Sequence, residues 1–339
     1  REVQLRRLHD LQHAEPLIAV FLRDRTLADA TRRTYERKLK TFRQWWGVHE
    51  PTTPLNETLA RRYAHWLHHD VLVPASRPSR RPMGANHETP TRTPEQGRSR
   101  SLASQGLHLS AVRQWCLFLV AKGELPTNPF TPIAGPPRAR WLRHHLLTRP
   151  DLQRLLQQFD QDDPVGCRDY LIAALMIRAG ARESELAAAT IGDLTEYGQE
   201  GSLLFLRSKG KAKQEPVIVR PDLSAKLWRY LHDRYPGGHL RQEDPLFTNQ
   251  YALYRGERMT TRGMRKQLKE AFTQAGLARP YVTALSLRLS GGAHAYRKGA
   301  SPSEVKRTMR HESLRTTQVL IDQVNRLRFG AERYLDDIT

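Results

Sequence analysis

The 339 residues predict a mainly α protein that carries one small antiparallel β-sheet and is divided into two domains. Three observations carry that expectation. Apolar residues recur over most of the chain at the spacing of about 3.6 that marks an amphipathic helix. Only one pair of short runs alternates as strands do, Leu203 with Phe205 and then Val217 with Val219, and a basic turn separates them. At about 150 residues per domain the length holds two, each long enough to bury a core without metal or disulfide support. Neither glycine-rich phosphate-loop motif occurs, and with so little strand pattern a doubly wound α/β enzyme is excluded.

The first helix is predicted over Thr31–Trp46, where Tyr35, Leu39, Phe42 and Trp46 fall at steps of 4, 3 and 4. Arg32, Arg33, Arg37, Lys38, Lys40 and Arg43 cover its remaining surface, and Gly47 is the expected stop. A second helix spans about Asn56–His69, with Leu59, Tyr63, Trp66 and Leu67 inward. Residues 74–100 hold five prolines, six arginines and almost no apolar side chains, the pattern of a basic loop. A third helix runs from about Ser104 to Lys122 on the apolar face of Leu109, Val112, Trp115, Cys116 and Leu119. The prolines at 126, 129, 132, 136 and 137 forbid helix there. Domains are therefore expected at 1–130 and 148–339, with a linker over 131–147 and a C-terminal tail from about 325.

In the second domain Thr148 is the expected N-cap of a helix over Arg149–Phe159. An apolar helix follows over Tyr170–Ala179 and ends at Gly180. After the hairpin, helices are expected near 222–235, 260–275, 284–298, 302–310 and 313–323.

The net charge is +20, from 55 basic and 35 acidic side chains, and it points to a polyanionic partner, most often nucleic acid. Of the basic residues 44 are Arg and 11 Lys, a skew that GC-rich coding also produces, so charge alone leaves the partner open. Two cysteines, Cys116 and Cys167, read as buried free thiols of a reducing compartment, which excludes zinc-finger and disulfide frameworks. The histidines other than His311, including His68-His69, His108 and His144-His145, lack metal-ligand spacing and read as surface, so no metal or other cofactor is expected. No window approaches the roughly 18 apolar residues of a membrane span. No signal peptide opens the chain, and a short leader is expected before Arg1. A cytoplasmic protein associated with a nucleoid or plasmid is the expectation.

The segment Gly180-Ala-Arg182-Glu-Ser-Glu185-Leu puts an arginine at a helix start with a carboxylate three residues on to orient it. Ser208-Lys209-Gly210-Lys211-Ala-Lys213 forms the hairpin turn. Leu285-Ser-Leu-Arg288 opens a later helix, and Met309-Arg310-His311-Glu-Ser follows, its histidine 23 residues after Arg288. These segments resemble the tyrosine recombinase or phage integrase family of the Xer type. They match in turn its first active-site arginine motif, its β-hairpin lysine, its His-x-x-Arg helix and its Gly-His turn. Thr31-x3-Tyr35-x6-Phe42-x2-Trp45 resembles that family's core-binding domain, and Asn128-Pro129 stands near where that domain ends. The resemblance covers roughly residues 20–322. It implies a SAM-like helical core-binding domain joined to a catalytic-type domain, the two closing as a clamp on duplex DNA.

The resemblance also implies a chemistry. A tyrosine oxygen attacks a phosphodiester, two arginines hold the non-bridging oxygens, a lysine protonates the leaving oxygen, and histidines assist, with no metal. Arg182, Lys209, Arg288 and His311 match these cationic positions. Two positions do not match. Leu285 stands where the family has a histidine, and Leu320, nine residues after His311 in Thr316-Thr317-Gln318-Val319-Leu320, stands where it has the nucleophile. A leucine cannot attack phosphorus. The leading expectation is thus a non-catalytic, sequence-specific DNA-binding protein: a regulator, a replication or partition factor, or an accessory to an active recombinase. The alternative is an active recombinase whose displaced nucleophile is Tyr334, acting in cis or in trans. Further DNA contacts are expected from Arg32, Arg33, Lys40, Arg43, Arg113, Arg138, Arg140, Lys211 and Lys213. A monomer is expected in free solution and oligomers on DNA.

Overall fold

The computed structural model describes residues 11–23, 27–69, 100–137, 145–208, 214–235, 240–250 and 256–329. The basic loop over 74–99, Arg138, Arg140, the hairpin lysines 209, 211 and 213, and Tyr334 lie outside these described residues. The chain divides into two compact units, Arg1–Ala139 and Arg140–Thr339. The architecture is mostly helical with one small antiparallel sheet, as the sequence predicts.

The first unit contains helices α1 (Leu11–Arg23), α2 (Asp29–His49), α3 (Glu57–His69) and α4 (Leu102–Ala121). Helix α1 is unpredicted, because Pro16 sits inside it and an interior proline removes a hydrogen bond. Helix α2 runs through Gly47 rather than stopping there. Trp45 and Trp46, the two residues before it, are buried, and that burial outweighs the roughly 1 kcal/mol that an interior glycine costs. The predicted stripe of Leu39, Phe42 and Trp46 is buried, and Phe42 meets Tyr63 edge to face at 4.7 Å. Residues after α4, as far as Ile133, pack into this core. Phe130 and Ile133 are buried, Asn128 Nδ2 donates to the Arg113 carbonyl at 3.0 Å, and Arg113 Nη2 donates to the Ile133 carbonyl at 2.6 Å.

The second unit begins with α5 (Arg149–Leu156), where Thr148 is the N-cap that the sequence predicts and Asp151 returns a hydrogen bond to complete a reciprocal cap. Helix α6 (Pro164–Arg178) starts six residues before its apolar run, capped by Asp163. The polar start escaped the pattern because Arg168 is buried inside the unit, paired with Asp169 and donating to the Thr248 carbonyl at 3.0 Å. After α7 (Glu183–Ala188) come β1 (Leu194–Glu196), β2 (Ser202–Arg207) and β3 (Gln214–Val219), ordered β1-β2-β3. Strand β1, three residues long, shows no alternation to read. On β2 the buried face carries Leu204 and Leu206, while Leu203 and Phe205 are half-buried. Helices α8 (Pro221–Arg234), α9 (Thr261–Gln274), α10 (Ala284–Arg297), α11 (Pro302–Thr308) and α12 (Leu314–Phe329) follow. Helix α12 continues past residue 325, where the tail was expected to start, and Val324 is buried within it.

Helix α10 crosses α6 at a glycine. A Cβ on Gly291 would lie 1.9 Å from the Ile177 carbonyl oxygen, which is main chain and cannot turn aside. Gly291→Ala is expected to cost about 3 kcal/mol or more, the upper end of overpacking losses. Urea unfolding measures this, and a loss below about 1 kcal/mol would show that the two helices part easily. Cys116 is buried and Cys167 only partly so, both free thiols. Among the described residues no helix is long and apolar enough to cross a membrane.

Candidate functional site

The site grows from the turn after α6. Gly180 takes φ +58°, a left-handed conformation that favours glycine, and a Cβ there would meet the Thr308 carbonyl oxygen at 3.1 Å. The turn places Arg182 at the start of α7 and Glu185 one helical step later. The Glu185 carboxylate reaches back to accept from the Arg182 backbone N–H at 2.9 Å and from Arg182 Nη1 at 2.5 Å. Its Oε1 also accepts from the Ser208 hydroxyl at 3.2 Å, and its Oε2 from Arg310 Nη2 at 2.6 Å. Burial opposes a charge on Glu185, but Arg310 and then Arg182 outweigh it, so its carboxyl is held below the usual carboxylate range.

Arg310 went unread in the sequence, where it counted only as the first residue of a turn. The signal was its place in the glycine position of a Gly-His turn, and the structure gives it φ +48° there. Its guanidinium turns inward and donates to the carbonyls of Ala179, Thr308 and Gly180 at 3.2, 3.0 and 2.9 Å as well as to Glu185. Its Nε is buried without a partner.

Arg288 lies on α10 and is 1% exposed. It donates through Nη1 to the Gly180 carbonyl and through Nη2 to the Met309 carbonyl. Burial, then the charges of Arg182 and Arg310, pushes its pKa down to about 9. This arginine therefore braces three segments rather than facing outward. Arg182 keeps a 30% exposed side chain, and the half-buried His311 stands on the same charged cluster. His311 Nδ1 lies 2.9 Å from the hydroxyl of the buried Thr317 on α12. The structure thus gathers Arg182, Arg288, Arg310 and His311 around one carboxylate, an arrangement that attracts an anion.

Leu320 is 1% exposed and packs with Leu289, Ala293, Val305, Met309 and Val324. Leu285 is half-buried against the same cluster. Leu285 also lines a cleft of about 730 Å³ with Phe272, Val282, Arg265 and Glu183. No group of acidic, histidine and cysteine side chains able to hold a metal occurs among the described residues.

Of the other predicted cations, Arg33 and Lys40 are exposed on α2. Arg32 donates to the Leu27 carbonyl and pairs with Asp29, and Arg43 pairs with Glu15. Arg113 is committed to the carbonyls of Phe130 and Ile133.

Burial, then the charges of Arg288, Arg182 and Arg310, pushes the His311 pKa down to about 4. The unfolded chain, at about 6.5, therefore binds this proton more readily. The stability associated with neutral His311 is complete above about pH 6.5 and is lost as pH falls toward 4. Urea midpoints of the second unit should fall across that window, and His311→Asn should flatten the fall. An equal slope in the variant would contradict this.

Residues 145–324 match the sequence profile of the phage integrase family, more than half of the chain. Tyrosine recombinase XerD of Listeria monocytogenes serotype 4b (strain F2365) is 26% identical over 223 residues, 65% of this chain and 71% of the relative. Tyrosine recombinase XerD of Lacticaseibacillus casei is 25% identical over 311 residues, 89% of this chain and 92% of the relative. Among solved structures, XerH site-specific recombinase bound to palindromic difH substrate aligns with a TM-score of 0.66 at 19% identity, covering 91% of this chain and 80% of that one. A lambda integrase tetramer bound to a Holliday junction gives 0.62 at 15% identity, covering 92% and 77%. At these identities the structural likeness speaks to fold.

Proposed function

The chain belongs to the phage integrase family, and from that premise we propose that it binds duplex DNA at specific sites without cutting it. The observation that carries the proposal is Leu320. It stands at the position the resemblance assigns to the nucleophile, and it is a buried member of an apolar cluster with no oxygen to offer phosphorus. Leu285 replaces a proton-handling histidine in the same neighbourhood. The cationic half of the site persists in Arg182, Arg288 and His311.

In this function one backbone phosphate sits against Arg182 and His311, with Lys209 of the hairpin turn as a third contact. Arg288 and Arg310 stand behind and raise the positive potential there, since their donors are taken by backbone carbonyls and Glu185. Arg33 and Lys40 on α2, with Arg138, Arg140, Lys211 and Lys213, add backbone contacts. The curated relatives named above are tyrosine recombinases, and the solved relatives were captured on DNA, one of them as a tetramer. That supports DNA as the ligand and assembly on it, and the proposal includes an active recombinase as partner in the same complex.

The test is a nicked suicide substrate built on a duplex selected by the protein from a random pool. No covalent protein–DNA adduct should survive a denaturing gel. An adduct would overturn the proposal. Tyr334→Phe then decides the alternative: loss of the adduct in that variant makes Tyr334 the nucleophile, and its persistence excludes it.

A further inference from the structure

The first unit holds a group of cations of its own. Lys38 lies on α2, Arg100 directly precedes Ser101, the N-cap of α4, and Ser104 and His108 follow on the first turns of that helix. Lys38 Nζ lies 3.2 Å from His108 Nε2, and Arg100 Nη1 lies 2.8 Å from the same nitrogen. Both cations are donors only, so Nε2 accepts and the ring proton sits on Nδ1, 3.0 Å from the Tyr63 hydroxyl. His108 and Tyr63 are both fully buried. Burial, then Lys38 and Arg100, pushes the His108 pKa down to about 3, which keeps the ring neutral.

Two features set this cluster apart from a satisfied core histidine. Tyr63 and one donor would complete the imidazole, yet two like charges are brought to a single nitrogen. Among the described residues no carboxylate pairs with Lys38 or Arg100, and burial, then the positive charges of Arg100 and Arg37, lowers the Lys38 pKa. The N-terminus of α4 adds its own positive pole. Lys38 also reaches the Ser104 hydroxyl at 3.5 Å, and the Arg100 guanidinium lies 5.7 Å from the centre of the Trp66 ring, with Nε buried and unpartnered. Both cations remain half-exposed, so they are fixed in place and still reachable.

We propose that Lys38, Arg100 and Ser104 bind one phosphate of the DNA backbone, with His108 as the buried positioning residue that holds the two cations together. The site rests on the DNA-binding function above and adds a contact in the first unit. Neither the resemblance nor the periodicity of basic residues singled it out.

The experiment uses the full chain and a duplex selected by it, with single phosphates replaced one at a time by neutral methylphosphonates. For the native protein one replacement should weaken binding at a position to which Lys38→Gln/Arg100→Gln is indifferent, while both proteins respond alike elsewhere. The slope of log affinity against log salt should fall by about 0.9 in the double variant, for one lost phosphate. Over 50 to 200 mM salt that removes a roughly three- to fourfold share of the salt dependence. Lys38→Arg should keep the native slope, and His108→Leu should share the reduced one at a temperature where its circular dichroism is native. An unchanged slope and interference pattern in both Lys38→Gln and the double variant overturns the site while DNA binding stands. Failure of the native protein to bind any duplex overturns the DNA function itself and this site with it.

Discussion

Glu185→Gln should destabilise the second unit by about 3–5 kcal/mol, the cost of breaking a buried charge pair from one side. The carboxylate answers donors from Arg182, Ser208 and Arg310 at once. Without its charge, the guanidinium groups of Arg182, Arg288 and Arg310 and the imidazole of His311 share one site with no anion. The amide of glutamine would moreover turn an N–H toward donors. Urea unfolding followed by far-UV circular dichroism gives the loss. Added sulfate should recover more stability in the variant than in the native protein, because only the variant leaves these cations without an internal counter-ion. A loss below about 1 kcal/mol, with no sulfate effect, would mean that the arginines are held by their carbonyl partners alone.

Affinity for a selected duplex should fall by about 10³ to 10⁵ between 50 and 200 mM salt, as expected of a protein making some 6–10 phosphate contacts. The +20 charge leads to this expectation, and the measurement separates its two explanations. Arginine enrichment from codon usage scatters charge over the surface and produces weak, sequence-blind binding. A built interface keeps a fixed advantage for its own site over an unrelated duplex at each salt concentration. Fluorescence anisotropy with both duplexes reads the slope and the ratio together. A slope corresponding to fewer than about two phosphates would remove nucleic acid as the main partner.

Much of the architecture was legible because it depends on local periodicity. The stripe of Leu39, Phe42 and Trp46 marks α2, and Thr148 marks the start of α5. What escaped has physical causes. Helix α1 holds a proline that its neighbours tolerate, and β1 is a strand only because β2 lies beside it, with Leu194 opposite Leu204. The polar first turns of α6 show no apolar pattern, because Arg168 is buried by pairing with Asp169 and the Thr248 carbonyl.

The candidate site divides in the same way. Part of its membership was readable: Arg182, Arg288 and His311 sit in motifs whose spacing resembles a known family, and Leu320 has no nucleophilic group, whereas Arg310 was missed. The direction in which each cation points was not readable. Arg288 turns inward because the carbonyls of Gly180 and Met309, 108 and 21 residues away in sequence, converge on it. Arg310 becomes the second counter-ion of Glu185 only when a turn 125 residues later closes on α7. His108 reads from the sequence as a surface histidine, yet it is fully buried, because Lys38 and Tyr63 from α2 and α3 are brought to its two ring nitrogens. Composition and spacing are one-dimensional, so they determine residue types, helix faces and family. Charge balance, tautomer and exposure depend on distances between remote segments, and only the packed chain sets those.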